Sequence, residues 1–260
     1  MKERLKNNPI TRFIIYFIKL LYSIVKLPFC RHSKEIQKFK NIHYGKRCFI
    51  VATGPSLTLK DCELLKDEIT FSVNSIVKIF SETNWRPTYY VISDIVPYNA
   101  CKNLIRTDDF KKIFFSNRID KKNKSVCHFA LNPINVYRCE LTDNFKNRIF
   151  PSSNLERNFN DSPSVVFSII QLAIYMGFSE IYLLGQDCNF SNQSHSDIAE
   201  IAYKKNPIVR DGEKIIDSFE SYKIFLRKEK SVKIYNVTRG GSLECFTRKN
   251  LEDVLKEISL

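Results

Sequence analysis

From residue 46 onward, short unbroken apolar runs alternate with longer stretches in which apolar residues recur every three or four positions. Cys48–Ala52, Ile69–Val73, Tyr89–Ser93, Lys112–Ser116, Glu180–Leu184 and Val232–Val237 have the length and the β-branched or aromatic content of buried strands. Ser164–Tyr175, closed near Gly177, and Asp217–Lys228 read as helices, and Ser56 stands at the start of another leucine-periodic stretch. Strands alternating with helices predict an α/β, Rossmann-like, doubly wound and mostly parallel sheet. Ligands of such sheets collect beyond the carboxyl ends of the strands. Here those ends carry Thr53-Gly54-Pro55-Ser56, Asn74, Asp94 and Gly185-Gln186-Asp187.

The stretch from Ile10 to Phe29 is different. It is densely apolar but interrupted by Arg12, Lys19 and Lys26, spaced seven apart and therefore along one stripe of a helix. Phe13, Phe17, Leu20, Leu21 and Ile24 fall on the opposite surface. This predicts an amphipathic helix lying on a membrane surface. Crossing the bilayer would put Lys19 near its centre, at a cost of about 2.5–3.5 kcal/mol. No small-residue cleavage site follows, so a removed signal peptide is not expected. The plainer alternative is a helix packed on the protein's own body or on a partner subunit. Residues 30–46 read as a polar, basic linker. The expected organisation is a membrane-associated helix and linker over residues 1–45, then a Rossmann-like nucleotide-binding catalytic domain over 46–260.

The charge distribution supports that division. The chain carries a formal charge of +13 over its 260 residues. Residues 1–47 hold twelve Lys/Arg against two Asp/Glu, a surplus of ten, which leaves three for the other 213 residues. The expected anionic partner is thus a membrane surface rather than nucleic acid, for which the body has no basic–aromatic stripe. The eight cysteines show no CxxC pair. Several sit in apolar runs, as expected of buried, reduced residues of a cytoplasmic protein held at the inner face of the plasma membrane.

Among the strand-end residues, Gly54 permits close backbone approach to a bulky ligand and Pro55 fixes the turn, while Ser56 offers a hydroxyl before helix N–H groups that favour phosphate. The loop is neither G-x-G-x-x-G nor a Walker P-loop, and an ordinary βα turn is the bland alternative. Asn74 could be a turn residue and Asp94 a helix cap. Asp94 and Asp187 together could hold Mg²⁺ against a polyphosphate. His195, eight residues past Asp187 in a polar loop, could take a proton from an acceptor hydroxyl, or be a solvated loop histidine. Arg239, before Gly240-Gly241-Ser242, could close over phosphate or form a turn.

The segments FIVATGPSL, FSVNSI, PTYYVISD, SVVFSIIQLAIYMGFSEIYLLGQD and YNVTRGGSLECF together resemble one superfamily. It is that of the archaeal 6-hydroxymethylpterin diphosphokinase (MptE-like) domain proteins, often found among bacterial surface-polysaccharide genes. The same segments are more distantly similar to the family-42 sialyltransferases. The resemblance implies that Thr53, Gly54, Pro55 and Ser56 hold the phosphates of a nucleotide donor. It implies that Asn74 and Asp94 contact the donor or its sugar, that Ser164 lies beside a donor-contacting position, and that Gly185 and Asp187 shape the rear of the site. It departs from the sialyltransferases in having no histidine after His195, where they place their base.

The reading these lines favour is a glycosyltransferase of cell-surface polysaccharide biosynthesis. It would use a nucleotide-activated sugar, with a CMP-linked acidic sugar in view, and a glycan acceptor. His195 and Asp187 would be its catalytic residues, with no cofactor beyond the donor. The rivals are a Mg²⁺-dependent diphosphokinase and a non-catalytic nucleotide-sugar-binding scaffold.

Overall fold

The computed structural model describes residues 11, 14, 17, 18, 21, 32–119, 126–129, 131–132, 150–152, 154–156, 159–189, 211–228 and 231–257. In chain order the elements are α1 (His32–Gln37), β1 (Arg47–Val51), α2 (Leu59–Leu64), β2 (Thr70–Val73), α3 (Ile95–Cys101) after β3 (Tyr89–Ile92), β4 (Lys112–Ser116) and β5 (Cys127–Phe129). They continue as β6 (Leu131–Asn132), β7 (Phe159–Asn160), α4 (Val165–Tyr175), β8 (Glu180–Leu184), α5 (Asp211–Lys228), β9 (Lys233–Asn236), β10 (Thr247–Arg248) and α6 (Leu251–Lys256). A 3-10 helix, Asn74–Ser81, follows β2.

Eight strands form one sheet in the order β10-β9-β8-β1-β2-β3-β4-β5, and every neighbouring pair is parallel. β6 and β7 make a separate parallel pair. The chain winds outward from β1 to β5 on one side, then returns to lay β8, β9 and β10 on the other. This is the doubly wound α/β architecture expected from the alternation of runs.

β1 shows why the sheet is covered on both faces. Cys48, Ile50 and Ala52 enter the core layer that holds α4 and α5, while Phe49 and Val51 enter the layer that holds α2, α3 and α6. A strand buried on both faces must be apolar throughout, so its sequence is a continuous run rather than an alternation. α4 supplies Phe167, Ile169, Ile170 and Leu172 to the first layer and packs across β1, β2 and β3.

Beyond one-residue shifts at strand ends, the observed elements depart from the sequence expectation at β5, at α5 and in the linker. β5 has three residues at the sheet edge, too short a run to stand out. α5 begins six residues before Asp217, because its first turn (Asp211-Gly212-Glu213-Lys214) is polar and carries no apolar period. The expected linker 30–46 contains α1 and is packed rather than free: Ile36 is 1% and His43 6% exposed. Its backbone is tied under the end of α4, with the His43 N–H donating to Met176 O at 2.9 Å.

In the N-terminal stretch Thr11, Ile14, Phe17, Ile18 and Leu21 are helical. Ile14, Phe17, Ile18 and Leu21 are exposed at the i, i+3, i+4, i+7 spacing of a single helix face. Among the described residues no helix is long and apolar enough to cross a membrane. Cys48, Cys62, Cys101, Cys127, Cys188 and Cys245 are free and buried.

Candidate active site at the switch point

The winding direction reverses between β1 and β8, which opens a crevice beyond their carboxyl ends. Three loops meet there. The first two continue the strand ladder: the Ala52 N–H donates to Leu184 O at 2.8 Å and the Gly54 N–H to Gly185 O at 2.9 Å. The third, following β9, is pinned to the second by the Gln186 N–H donating to Thr238 Oγ1 at 3.1 Å and the Ser242 N–H to Asp187 O at 2.7 Å.

Asp187, 9% exposed, is the centre of this junction. Its Oδ2 accepts from the Ser56 hydroxyl at 2.9 Å and lies 3.5 Å from the Ser56 N–H. Glycine is required around it by space. A Cβ on Gly54 would fall 2.0 Å from Asp187 Oδ2 and 2.5 Å from Gly185 O; one on Gly241 would fall 2.5 Å from Asp187 O. Gly54 therefore lets the first loop approach Asp187, where the sequence suggested approach to a ligand.

A second correction concerns the helix after the loop. Its N-cap is Thr58, not Ser56, and a capping box closes it: Thr58 Oγ1 accepts from the Asp61 N–H at 3.2 Å, and Asp61 Oδ2 accepts from the Thr58 N–H at 2.9 Å. The Gly54 and Leu57 amides also have protein acceptors. The expected cradle of unoccupied N–H groups is thus largely used by the loop itself. What faces outward is Thr53 and Ser56, both half-buried, the exposed Pro55, and Arg239.

Arg239 crosses from the third loop. Its Nη1 donates to Asp61 Oδ1 at 2.8 Å, its Nη2 donates to Asp61 Oδ2, and Nη2 also reaches Ser56 O at 3.2 Å. The pair is asymmetric in exposure, with side chains 49% and 2% accessible. Burial alone would raise the Asp61 carboxyl. The hydrogen bonds from Arg239 and Thr58 outweigh it and hold the group below its ordinary value.

The other strand-end residues lie along the same edge. Asn74, one strand over, has positive φ (46°), and its Oδ1 is buried with no partner among the described residues. Its carbonyl accepts from the Tyr90 hydroxyl. Asp94 occupies the N-cap position of α3 without bonding the helix. It accepts instead from Ser93 Oγ at 2.8 Å and from Arg118 Nη1 at 3.2 Å.

Arg118 also pairs with Asp161 through Nη2. Burial raises the Asp161 carboxyl, and the adjacent guanidinium offsets this only in part. Neither Arg118 nor Asp161 was singled out from the sequence, although the polar Asn117-Arg118 directly after β4 was a usable signal for the arginine. Ser164 is the N-cap of α4, 9% exposed, its Oγ accepting from the Val166 N–H at 3.3 Å. His195 lies outside the described residues.

The structure thus gathers Thr53, Gly54, Pro55, Ser56, Gly185, Asp187 and Arg239 at one junction and sets Asp94 apart from it. β3 and β8 are separated by β1 and β2, about 14 Å at ~4.8 Å per strand. Each aspartate already has another partner. A single Mg²⁺ bridging Asp94 and Asp187 does not fit this spacing, and among the described residues no group of three or more His, Cys, Asp or Glu converges for a metal.

The family described as "6-hydroxymethylpterin diphosphokinase MptE-like" matches residues 21–193. No curated protein matches the chain. Among solved structures, the chain is similar to the MAf glycosyltransferase of Magnetospirillum magneticum AMB-1, with 17% identity and a TM-score of 0.50. That match covers 85% of this chain but only 38% of the other, so the chain spans well under half of that protein. A second similarity is to the sialyltransferase CstII of Campylobacter jejuni, solved with cytidine-5'-monophosphate. It has 18% identity and a TM-score of 0.46, over 79% of this chain and 85% of that one.

Proposed function

The chain belongs to the 6-hydroxymethylpterin diphosphokinase MptE-like family, and we propose that within it this protein is a glycosyltransferase whose nucleotide-activated sugar donor binds at the β1/β8 crevice. The observation that carries the reading is the junction of Ser56, Asp187 and Arg239, three loops brought together at the topological switch point of a parallel sheet. The fold shared with a glycosyltransferase is consistent with it.

In this account Arg239 shares its half-exposed guanidinium between Asp61 and the donor phosphates. Ser56 and Thr53 present hydroxyls to the same phosphates, and Asp187 holds the first loop in place. Asn74, whose Oδ1 has no partner among the described residues, contacts the base or sugar of the donor. His195 takes the proton of the acceptor hydroxyl as the glycosidic bond forms, and the nucleotide leaves against Arg239. The acceptor is a glycan of cell-surface polysaccharide, and residues 10–29 hold the enzyme on the inner face of the plasma membrane.

The family description favours a second reading, transfer of a diphosphate from ATP with Mg²⁺. The separation of Asp94 from Asp187 weighs against one bridging ion, so such an ion would need a different ligand set. Incubation of the full-length protein with CMP-, UDP- and GDP-activated sugars and a glycan acceptor, and in parallel with ATP and 6-hydroxymethylpterin, each with and without chelator, separates the two. Sugar transfer that survives chelation supports the glycosyltransferase; AMP release from ATP that chelator abolishes supports the diphosphokinase.

A further inference from the structure

The ends of the strands hold the candidate site, but the starts of the strands carry a feature this function leaves unused. A cavity of about 490 Å³ opens there between α1 and the first residues of β3, β4 and β5. Lys38, Lys111 and Lys112 stand around it, while Phe39, Ile42 and Val126 give it an apolar lining. One acidic residue, Glu35, lines it as well, and its carboxylate lies 3.5 Å from the His128 N–H. Beside the cavity the loop leading into β1 exposes Ile42 (44%) and Tyr44 (82%), flanked by the exposed Lys46. An aliphatic side chain and a tyrosine held in water among lysines, next to an apolar hollow with a cationic rim, complement an amphiphile with an anionic head.

We infer that this end of the sheet is a second membrane-docking face, which seats anionic phospholipid of a bilayer. The headgroup phosphate lies against Lys38, Lys111 and Lys112, and the acyl root lies against Phe39, Ile42 and Tyr44. The inference rests on the reading of the chain as membrane-associated, and it deepens that reading by placing a contact on the folded body. The face is continuous in sequence with the N-terminal stretch, whose Ile14, Phe17, Ile18 and Leu21 form an exposed apolar helix face. Of its lysines, Lys38 and Lys46 belong to the basic surplus of residues 1–47, and Lys111 and Lys112 add to it from the body of the domain.

A consequence follows for the enzyme. Docking through the strand starts turns Ser56, Asp187 and Arg239 away from the bilayer by at least the length of β1, about 17 Å for its five residues. The acceptor hydroxyl would then be offered at the outer end of a glycan rather than at headgroup level.

The test is co-sedimentation of the full-length protein with vesicles of phosphatidylcholine alone or mixed with phosphatidylglycerol. Wild-type protein should bind the anionic vesicles preferentially. Lys38→Glu with Lys111→Glu, and separately Ile42→Ser with Tyr44→Ser, should each weaken that binding roughly tenfold or more, with unchanged melting temperature. Tyr44→Trp gives a readout that does not depend on those variants folding. The chain has one tryptophan, Trp85, which is 2% exposed and shielded from lipid. Emission from residue 44 should therefore shift to shorter wavelength on anionic vesicles.

Wild-type-like binding of both double variants with no emission shift overturns the docking face. If Phe17→Glu with Leu21→Glu alone abolishes binding in that case, the N-terminal reading survives without it. Failure of the wild-type protein to bind either vesicle removes both.

Discussion

The Ser56 hydroxyl donates to Asp187 Oδ2 at 2.9 Å, joining residues 131 positions apart and fixing the loop after β1 to the loop after β8. Because Asp187 also accepts the Ser242 N–H through its carbonyl, one residue sets the mutual position of three loops. Asp187→Ala should remove the side-chain bonds, lowering stability by about 1–3 kcal/mol in urea denaturation and weakening nucleotide binding. Asp187→Asn keeps an acceptor for Ser56 and should recover most of the stability. If Asp187 also takes part in transfer, the Asn variant should bind donor yet turn over slowly. Equal stability of Ala and wild type would remove the buttressing role.

Gly54→Ala tests the same junction sterically. The new methyl would lie 2.0 Å from Asp187 Oδ2, which Ser56 holds, and 2.5 Å from Gly185 O, which accepts the N–H of residue 54 itself. The loops must part, and the expected cost is about 1–3 kcal/mol, with loss of nucleotide binding measured by calorimetry.

Arg239 and Asp61 give a prediction in acid. The Asp61 carboxyl is held below its unfolded value, so the folded state binds fewer protons than the unfolded state in that range. The pair's stabilisation is complete above about pH 4, the ordinary carboxylate value, and is lost as pH falls through the lowered one. Arg239→Met should flatten this acid-side loss in urea denaturation followed from neutral pH downward. A variant whose pH profile runs parallel to wild type would contradict the assignment.

His43 acts in a different window. Burial, with Lys111 and Lys46 nearby, lowers its imidazole from 6.5 to about 4. The ring stacks on Phe178 at 4.7 Å, and its Nε2 lies 2.7 Å from the Tyr89 hydroxyl. Between those two values the unfolded state binds the extra proton, so stability should fall as pH drops from 6.5 toward 4. His43→Phe should keep the stacking and remove that slope. Persistence of the slope would assign it to other groups.

How much of this was legible in the sequence depended on the range of each interaction. β4 and β8 were readable to the residue, because each is an apolar run with abrupt polar flanks. The parallel, doubly wound sheet followed from the alternation of elements, and with it the placing of Gly54, Gly185 and Asp187 at strand ends. The strand order that makes β1 and β8 neighbours came only with the fold. The role of Gly54 was not legible, since only the fold shows that Asp187 occupies the space where a Cβ would go. Nor was the pairing of Arg239 with Asp61 across 178 positions, which buries an aspartate that reads as helix surface. The Thr58-x-x-Asp61 capping box was present in the sequence but masked by the more conspicuous Ser56. Arg118 and Asp161 were missed because a salt bridge between two loops leaves no periodic trace.

The central claim is that the β1/β8 crevice binds a nucleotide. Its most direct test is thermal unfolding of the full-length protein with CMP, UDP, GDP or ATP, each with and without Mg²⁺, with Gly54→Ala as the control. A nucleotide at a hundred times its dissociation constant adds about 2.7 kcal/mol. For a chain of this size that is a rise of roughly 5–10 °C in melting temperature. The account predicts such a rise for at least one nucleotide with the wild-type protein and none with Gly54→Ala; a wild-type melting temperature unmoved by every nucleotide, with or without Mg²⁺, would contradict it.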